Sequence, residues 1–397
     1  MSGNAFAQIV AVTALNVRNM TERATSSFVA LVGIAGVVTV LIGVLSISEG
    51  FRAVLDLAGA DDVAIVLRAG ATDEMGSGLA QDQTRVIADA PNIVRDAQGP
   101  IASPELYVIV DTPLRSTGTA ANVPMRGVSI HASKLRQQFA ITQGRMFTPG
   151  TFEVIVGQGA QQQFAGLDVG RRLRWGTTEW LVTGVFKDRG SVAESEIWAD
   201  ATVLQGAYNR GSGYQSMRVK LTSAGALQAF KDTLTKDPRL NVRVFTEKAY
   251  YEEQSRTLTA LVRTVGAIIA VLMGLGAIFA ALNTMYSAVS ARTREIATLR
   301  ALGFGSGPVV VSVLTEALLI GLIGGVIGMA IAYFSFNGMR ASTMNFATFS
   351  QITFAFTVTP ALLLQALLYS LGLGLIGGLL PSIRAARMPI TTGLREL

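Results

Sequence analysis

Four long runs without charge organise the chain. Residues 24–48 lie uncharged between Arg23 and Glu49, and residues 264–291 between Arg263 and Arg292. Residues 308–334 are interrupted only by Glu316, and residues 361–383 form the apolar centre of a charge-free run that begins after Arg340. Crossing about 30 Å of hydrocarbon takes roughly 20 apolar helical residues, so each run is long enough to span a bilayer. Between the first and second runs, residues 50–258 change period. They predict short strands at 61–70, 105–113, 216–223 and 241–247, with helices at 82–90 and 224–235 between them. Two strand-helix-strand units of this kind pair as a split βαβ layer of the ferredoxin type. Residues 139–200 read as short strands closed by glycine turns, with one short helix at 160–165. This is the pattern of a β-rich subdomain inserted into the first. The predicted architecture is one transmembrane helix, a large α+β domain, then three transmembrane helices.

Charge places these elements relative to the membrane. Of 33 basic and 27 acidic residues, 24 and 23 fall from Glu49 to Arg263, so nearly all of the formal +6 flanks the apolar runs. Arg18 and Arg23 precede the first run, Arg292, Arg294 and Arg300 separate the second from the third, and Arg384, Arg387 and Arg395 follow the fourth. Lys and Arg accumulate on the cytoplasmic side. The expected organisation is therefore a cytoplasmic segment 1–23, a first helix 24–48, a periplasmic domain 49–263 and a second helix 264–291. A cytoplasmic segment 292–307, a third helix 308–334, a periplasmic loop 335–360, a fourth helix 361–383 and a cytoplasmic tail 384–397 complete it. The first run is too long and starts too late for a cleaved signal peptide. Ahead of it, Phe6, Ile9, Val12 and Leu15 recur at helical spacing and predict an amphipathic helix over 5–22 along the inner surface. The exported domain is close to neutral and lacks the basic face that nucleic acid requires.

Candidate chemistry is sparse. The chain has no cysteine, which removes thiol catalysis and thiolate metal sites and leaves an exported domain of this length to stand on its core. The single histidine, His131, reads as a surface or loop imidazole without catalytic partners. No Ser/His/Asp set, paired carboxylates or metal-ligand spacing stands out, so no enzymatic role and no metal are expected. The spans carry small residues four apart: Gly266, Ala270 and Gly274 in the second, Gly321 with Gly325 and Gly324 with Gly328 in the third, Ser370, Gly374 and Gly378 in the fourth. Such faces let helix backbones approach closely in lipid, within or between subunits. Glu316 is the intramembrane carboxylate. Two turns from Pro308, it is placed to reach the cytoplasmic interface and pair with Arg294 or Arg300.

At 292–304 the chain reads Arg292-Thr-Arg294-Glu295-Ile-Ala-Thr-Leu299-Arg300-Ala-Leu302-Gly303-Phe304. This resembles the cytoplasmic segment after the second helix in the MacB and FtsX family of ABC transporter permeases. The run from Glu316 resembles that family's third helix, and Pro381 to Arg387 with Pro389 to Arg395 its C-terminal tail. Gly144 to Phe147, Val154 to Gly157, Gly170 and Val182 to Val185 are similar to the MacB-type periplasmic core, a porter-like split βαβ part with a β-rich insertion. The resemblance implies a permease subunit of the bacterial inner membrane that works by mechanotransmission. ATP-driven closure of partner subunits is then conveyed through the helices to the periplasmic domains, which drive export or extraction of a substrate. MacB itself carries a fused ATPase domain, whereas this sequence holds no GxxxxGK[ST] loop. The resemblance thus places ATP and Mg in separate ABC ATPase subunits. It also implies a second permease chain, a periplasmic adaptor of the membrane-fusion class, and lipid around the helices. The candidate ATPase-coupling residues are Arg292, Arg294, Glu295, Leu299, Arg300, Leu302, Gly303 and Phe304, with Leu299, Leu302 and Phe304 as an apolar side for docking. Lol-like lipoprotein release is a variant of this reading. The alternative is an FtsX-like transmitter that regulates cell-wall hydrolases, although exported domains of that type are much smaller.

Overall fold

The computed structural model describes residues 8–10, 12–14, 24–136, 138–345 and 350–391. Most of the amphipathic stretch 5–22 and the end of the tail, with Arg395, lie outside the described residues. The chain divides into two units. The exported unit is Gly50–Thr259 together with Arg340–Ala355, and the helical unit holds the rest.

The first helix, α1 (Ala24–Ala58), outlasts its apolar run and ends inside the exported unit. There follow β1 (Val63–Arg68), α2 (Gln81–Ala88), β2 (Ala102–Pro113), β3 (Ala120–Val128), β4 (Phe139–Gly144), β5 (Glu153–Gly157) and α3 (Gln158–Gln163). Next come β6 (Arg172–Trp175), β7 (Thr178–Asp188), β8 (Ile197–Asp200), α4 (Ala201–Ala207), β9 (Ser216–Lys220), α5 (Leu227–Lys236) and β10 (Val242–Thr246). These strands make one ten-stranded sheet in the order β10-β1-β9-β2-β3-β8-β5-β7-β4, with β6 on β7. The quartet β10-β1-β9-β2 is antiparallel throughout. It interleaves the two strand-helix-strand units in split βαβ order, as expected.

The β-rich insertion is also present, between β2 and β9 in sequence, and it continues the same sheet. Strand β2 joins the two parts because it is long. Its first residues, Ala102–Glu105, pair with β9, and Leu106–Pro113 pair with β3. Helices α2 and α5 cover one face of the quartet, packing Ile87, Phe230 and Leu234 on Ala64, Val66, Met217 and Val219. Strand alternation sends Glu105, Ser216 and Arg218 to the opposite face. The insertion has its own core around Phe164, Trp175 and Trp180.

The remaining elements are α6 (Glu247–Ala291), α7 (Thr293–Ala301), α8 (Ser306–Phe336), the hairpin β11 (Arg340–Asn345) and β12 (Ser350–Ala355), and α9 (Pro360–Arg387). Among the described residues four helices, α1, α6, α8 and α9, are long and apolar enough to cross a membrane. Helix α6 is a single helix of 45 residues that begins 17 residues before its apolar run. The stretch 335–360, read from sequence as a loop, contains the β11-β12 hairpin, which belongs to the exported unit. Thr353 N–H donates to Ser195 Oγ at 3.0 Å, Thr353 Oγ1 bonds Gln163 Oε1, and the Phe354 ring meets Phe51 edge-on at 6.0 Å.

The small-residue faces pair helices of this same chain. A Cβ added at Gly321 would lie 2.8 Å from Ser370 O on α9, and one at Gly374 would lie 2.7 Å from Ala317 O on α8. Gly325 faces Ser370 and Gly378 faces Ala317 across the same contact. Gly328 turns the other way, where a Cβ would come within 2.6 Å of Ala35 O on α1. Gly266 lies against Val44 of α1, and Gly274 against Tyr369 of α9, whose hydroxyl donates to Ala270 O at 2.6 Å. Of the two packings the spacing allowed, these glycines take the intrachain one.

Candidate functional site

The candidate coupling segment is a short helix pinned at both ends. Arg292 precedes α7 and is buried, donating to Glu316 Oε1 at 2.6 Å and also to Oε2. The pairing expected for Glu316 with Arg294 or Arg300 is therefore corrected to Arg292. The reason is geometric: the break between α6 and α7 turns the Arg292 side chain inward, toward the buried face of α8 that carries Glu316. Thr293, Ile296 and Ala297 form the buried face of α7. At its other end Gly303 adopts φ +95, with Gly303 N–H donating to Arg300 O and Phe304 N–H to Leu299 O. A left-handed residue after the last turn satisfies carbonyls that the helix leaves open, and glycine takes that conformation without strain. Arg300 donates through Nη1 to Met388 O, tying α7 to the residue after α9.

Among the candidate coupling residues, Arg294, Glu295, Leu302 and Gly303 are exposed, Leu299, Arg300 and Phe304 are half-buried, and Arg292 faces inward. Leu302 is the most prominent, with 73% of its surface open. The outward face thus carries both charges and one large apolar side chain, while Arg292 is a structural partner of Glu316.

A second cluster lies in the exported unit, on the sheet face opposite α2 and α5. Arg126 of β3 makes five hydrogen bonds to three carboxylates: two to Glu196 at 2.9 and 2.7 Å, two to Glu74 at 2.7 and 3.0 Å, and one to Glu105 at 2.9 Å. Arg218 of β9 donates to Glu74 at 3.0 Å, to Glu247 at 3.2 Å and to Glu105. Arg136 donates to Glu247 as well. Ser216 donates to Glu74, and Trp198 Nε1 donates to Glu196 at 2.8 Å. All seven charged groups are buried, and four carboxylates face three guanidinium groups.

Burial alone would raise these carboxyl groups. At Glu74 the charges of Arg126 and Arg218 outweigh it and hold the group well below the usual carboxylate range. At Glu196 burial is likewise overcome, chiefly by Arg126. Burial opposes the charge of Arg126 and Arg218 too, but their carboxylate neighbours raise both further above the ordinary arginine value.

The cluster draws on distant parts of the chain: β2, β3, β9, the segments around Glu74, Arg136 and Glu196, and Glu247, the first residue of α6. Sequence reading did not single it out. The available signal was a charge at the centre of otherwise apolar strands, as in SMRVK and VPMRGV. His131, read as a loop residue, does lie in a turn before Ala132 but is buried. Among the described residues no group of three or more His, Asp or Glu is placed to hold a metal.

Residues 27–237 match the MacB-like periplasmic core domain, and residues 267–390 the FtsX-like permease C-terminal region. The macrolide export ATP-binding/permease protein MacB of Hahella chejuensis is 26% identical over 95% of this chain and 59% of that protein. The protein of the same name from Bordetella avium is 25% identical over 92% of this chain and 56% of its own length. The chain thus spans a little over half the length of these curated relatives. The crystal structure of the periplasmic region of MacB from Actinobacillus actinomycetemcomitans covers 50% of this chain and 95% of its own, at 12% identity and a TM-score of 0.38.

Proposed function

The chain belongs to the MacB/FtsX-type ABC transporter permease family, and from that premise we propose that it transmits ATP-driven motion from a separate ATPase to its periplasmic domain. The partner ATPase binds ATP and Mg. Two permease chains act together in the bacterial inner membrane, with both termini in the cytoplasm, and the paired periplasmic domains export or extract a cargo with the help of a membrane-fusion adaptor. This chain supplies force transmission and no bond chemistry.

One observation carries the reading. Helix α6 is uninterrupted over 45 residues, its first residue Glu247 sits in the buried ion cluster, and its last residue precedes Arg292 and the coupling helix α7. A stiff rod fixed at both ends moves one end when the other is displaced. The outward face of α7, with Arg294, Glu295 and Leu302, then docks in the ATPase. Losing one member of a docked charge pair costs about 2–5 kcal/mol when it is buried and less at a rim.

The test separates docking from transmission. Glu295→Ala and Arg300→Ala should lower the stimulated ATPase activity of the reconstituted complex. Two glycines inserted after Thr259 should leave hydrolysis intact and abolish export, because the helix loses its stiffness between its two fixed ends. Export at the unmodified level in the insertion variant would overturn the transmission reading. Wild-type ATPase stimulation in both substitutions would overturn the docking reading.

A further inference from the structure

A cavity lined by both polar and apolar groups lies in the helical unit, where the apolar runs end. It measures about 320 Å³, and its lining includes Leu45, Ser48 and Glu49 of α1, Arg263 of α6, and Leu362 and Gln365 of α9. Glu49 is the first charge after the run 24–48, and Arg263 is the last before the run 264–291. In a chain that crosses the bilayer on these helices, the cavity stands at the headgroup level of the exported-side leaflet.

Two features of the lining are unusual for a mere packing gap. Glu49 and Arg263 stand 3.3 Å apart with their side chains partly open, so one positive and one negative group face the same space. Ser48 is 3% exposed, and its hydroxyl has no hydrogen-bond partner among the described residues. A helical serine ordinarily bonds back to a carbonyl in the preceding turn, as Ser46 does to Gly43 O at 2.8 Å. A buried hydroxyl left without a partner is costly, and such a group beside a cavity that also holds charge calls for an acceptor or donor from outside the chain.

We propose that this cavity seats the phosphoethanolamine headgroup of an aminophospholipid. The primary ammonium donates to Glu49, the phosphate accepts from Arg263, and the Ser48 hydroxyl donates to an ester oxygen of the lipid. Leu45 and Leu362 border the start of the acyl chains. The opposed pair selects the headgroup class. A choline headgroup has no N–H to give Glu49, and a phosphoglycerol headgroup has no cation at all. The inference rests on the helices crossing a bilayer and is independent of any ATPase.

The test uses the full chain purified in a maltoside detergent, with phosphatidylethanolamine, phosphatidylcholine and phosphatidylglycerol of identical acyl chains added at equal concentration. Native mass spectrometry should show ethanolamine-lipid adducts exceeding the other two by about tenfold, the worth of one charge-assisted contact. Glu49→Gln should erase the preference over the choline lipid, and Arg263→Gln should weaken all three. Ser48→Val, which conserves shape, should lower ethanolamine-lipid binding severalfold. Glycerophosphoethanolamine, the same headgroup without chains, should bind at least about tenfold more weakly than the lipid, since it buries no methylenes. Equal adducts for the three lipids, or a preference unchanged in both charge variants, would overturn the site. Equal binding of the chain-free headgroup would overturn its assignment to lipid.

Discussion

Replacing Arg126 by Met should weaken the exported unit and make its stability fall as the pH rises from 5 to 8, where the native cluster contributes no slope. Arg126 is 2% exposed and holds three buried carboxylates with five hydrogen bonds. Removing one partner of a buried ion pair costs about 3–5 kcal/mol, because the remaining charge is left without compensation. For a unit of this size each kcal/mol lowers the melting temperature by about 2–4 °C. The variant should therefore melt about 6–20 °C lower at pH 7.

The sign of the pH response is the sharper part. In the native protein Glu74 and Glu196 are held below the ordinary carboxyl value of 4.5. Their contribution is fully present above that value and is lost as the pH falls through their depressed folded values, so the slope between pH 5 and 8 from these groups is flat. Without Arg126, burial prevails and lifts carboxyls of the cluster above the unfolded value. The folded state then binds more protons than the unfolded one, and stability falls as the pH rises, by up to about 1.4 kcal/mol per pH unit for each group involved. All three tryptophans, Trp175, Trp180 and Trp198, lie in the exported unit, so tryptophan fluorescence of the full-length protein, excited selectively, reports on that unit alone. Trp198 donates directly to Glu196 and senses the cluster itself. A variant that melts within about 2 °C of the parent, or that keeps a flat slope from pH 5 to 8, would refute the reasoning.

Three further outcomes are expected. Gly328→Leu should separate α1 from α8, because even a Cβ there would lie 2.6 Å from Ala35 O, and cost about 1–3 kcal/mol in helical-unit stability by thermal unfolding in detergent; Gly276→Ala, which meets open space, should be neutral. Glu316→Gln removes the carboxylate charge to which buried Arg292 donates and should loosen α7, read as faster proteolysis at 292–304, while Glu316→Gln with Arg292→Met should recover most of the loss. Single cysteines at Gln83 and Ser212 should react with an impermeant thiol reagent in cells with a permeabilised outer membrane, whereas one at Ser306 should stay unlabelled; the reverse pattern would overturn the topology.

The membrane helices were legible because long uncharged runs bounded by charged residues admit one physical reading. The split βαβ order was legible for the same kind of reason, as two strand-helix-strand units can interleave in few ways. The buried ion cluster was not. Arg126 and Glu196 are 70 residues apart, and Glu74 and Arg218 are 144 apart, so no local period brings them together. Strand β2 hid its role because a long strand pairing with two different neighbours looks like any other apolar run. Glu316 was visible as an intramembrane carboxylate, but its partner depended on which way one arginine turned at a helix break. The glycine spacing showed that backbones approach, and only the packed helices showed that Gly321 meets α9 while Gly328 meets α1. The 292–304 segment was legible as a motif, while the inward turn of Arg292 within it was not.

The β11-β12 hairpin gives the exported unit two separate stretches of chain, 50–259 and 340–355. Exchanging periplasmic domains between relatives is therefore a double graft. A single insertion at 50–259 would bring a foreign seat for Phe354 and Thr353, which rest on Phe51, Ser195 and Gln163 of the native domain. Hybrids that carry both stretches from one parent should fold, and those that carry only the longer one should lose the hairpin's contacts with Phe51, Ser195 and Gln163.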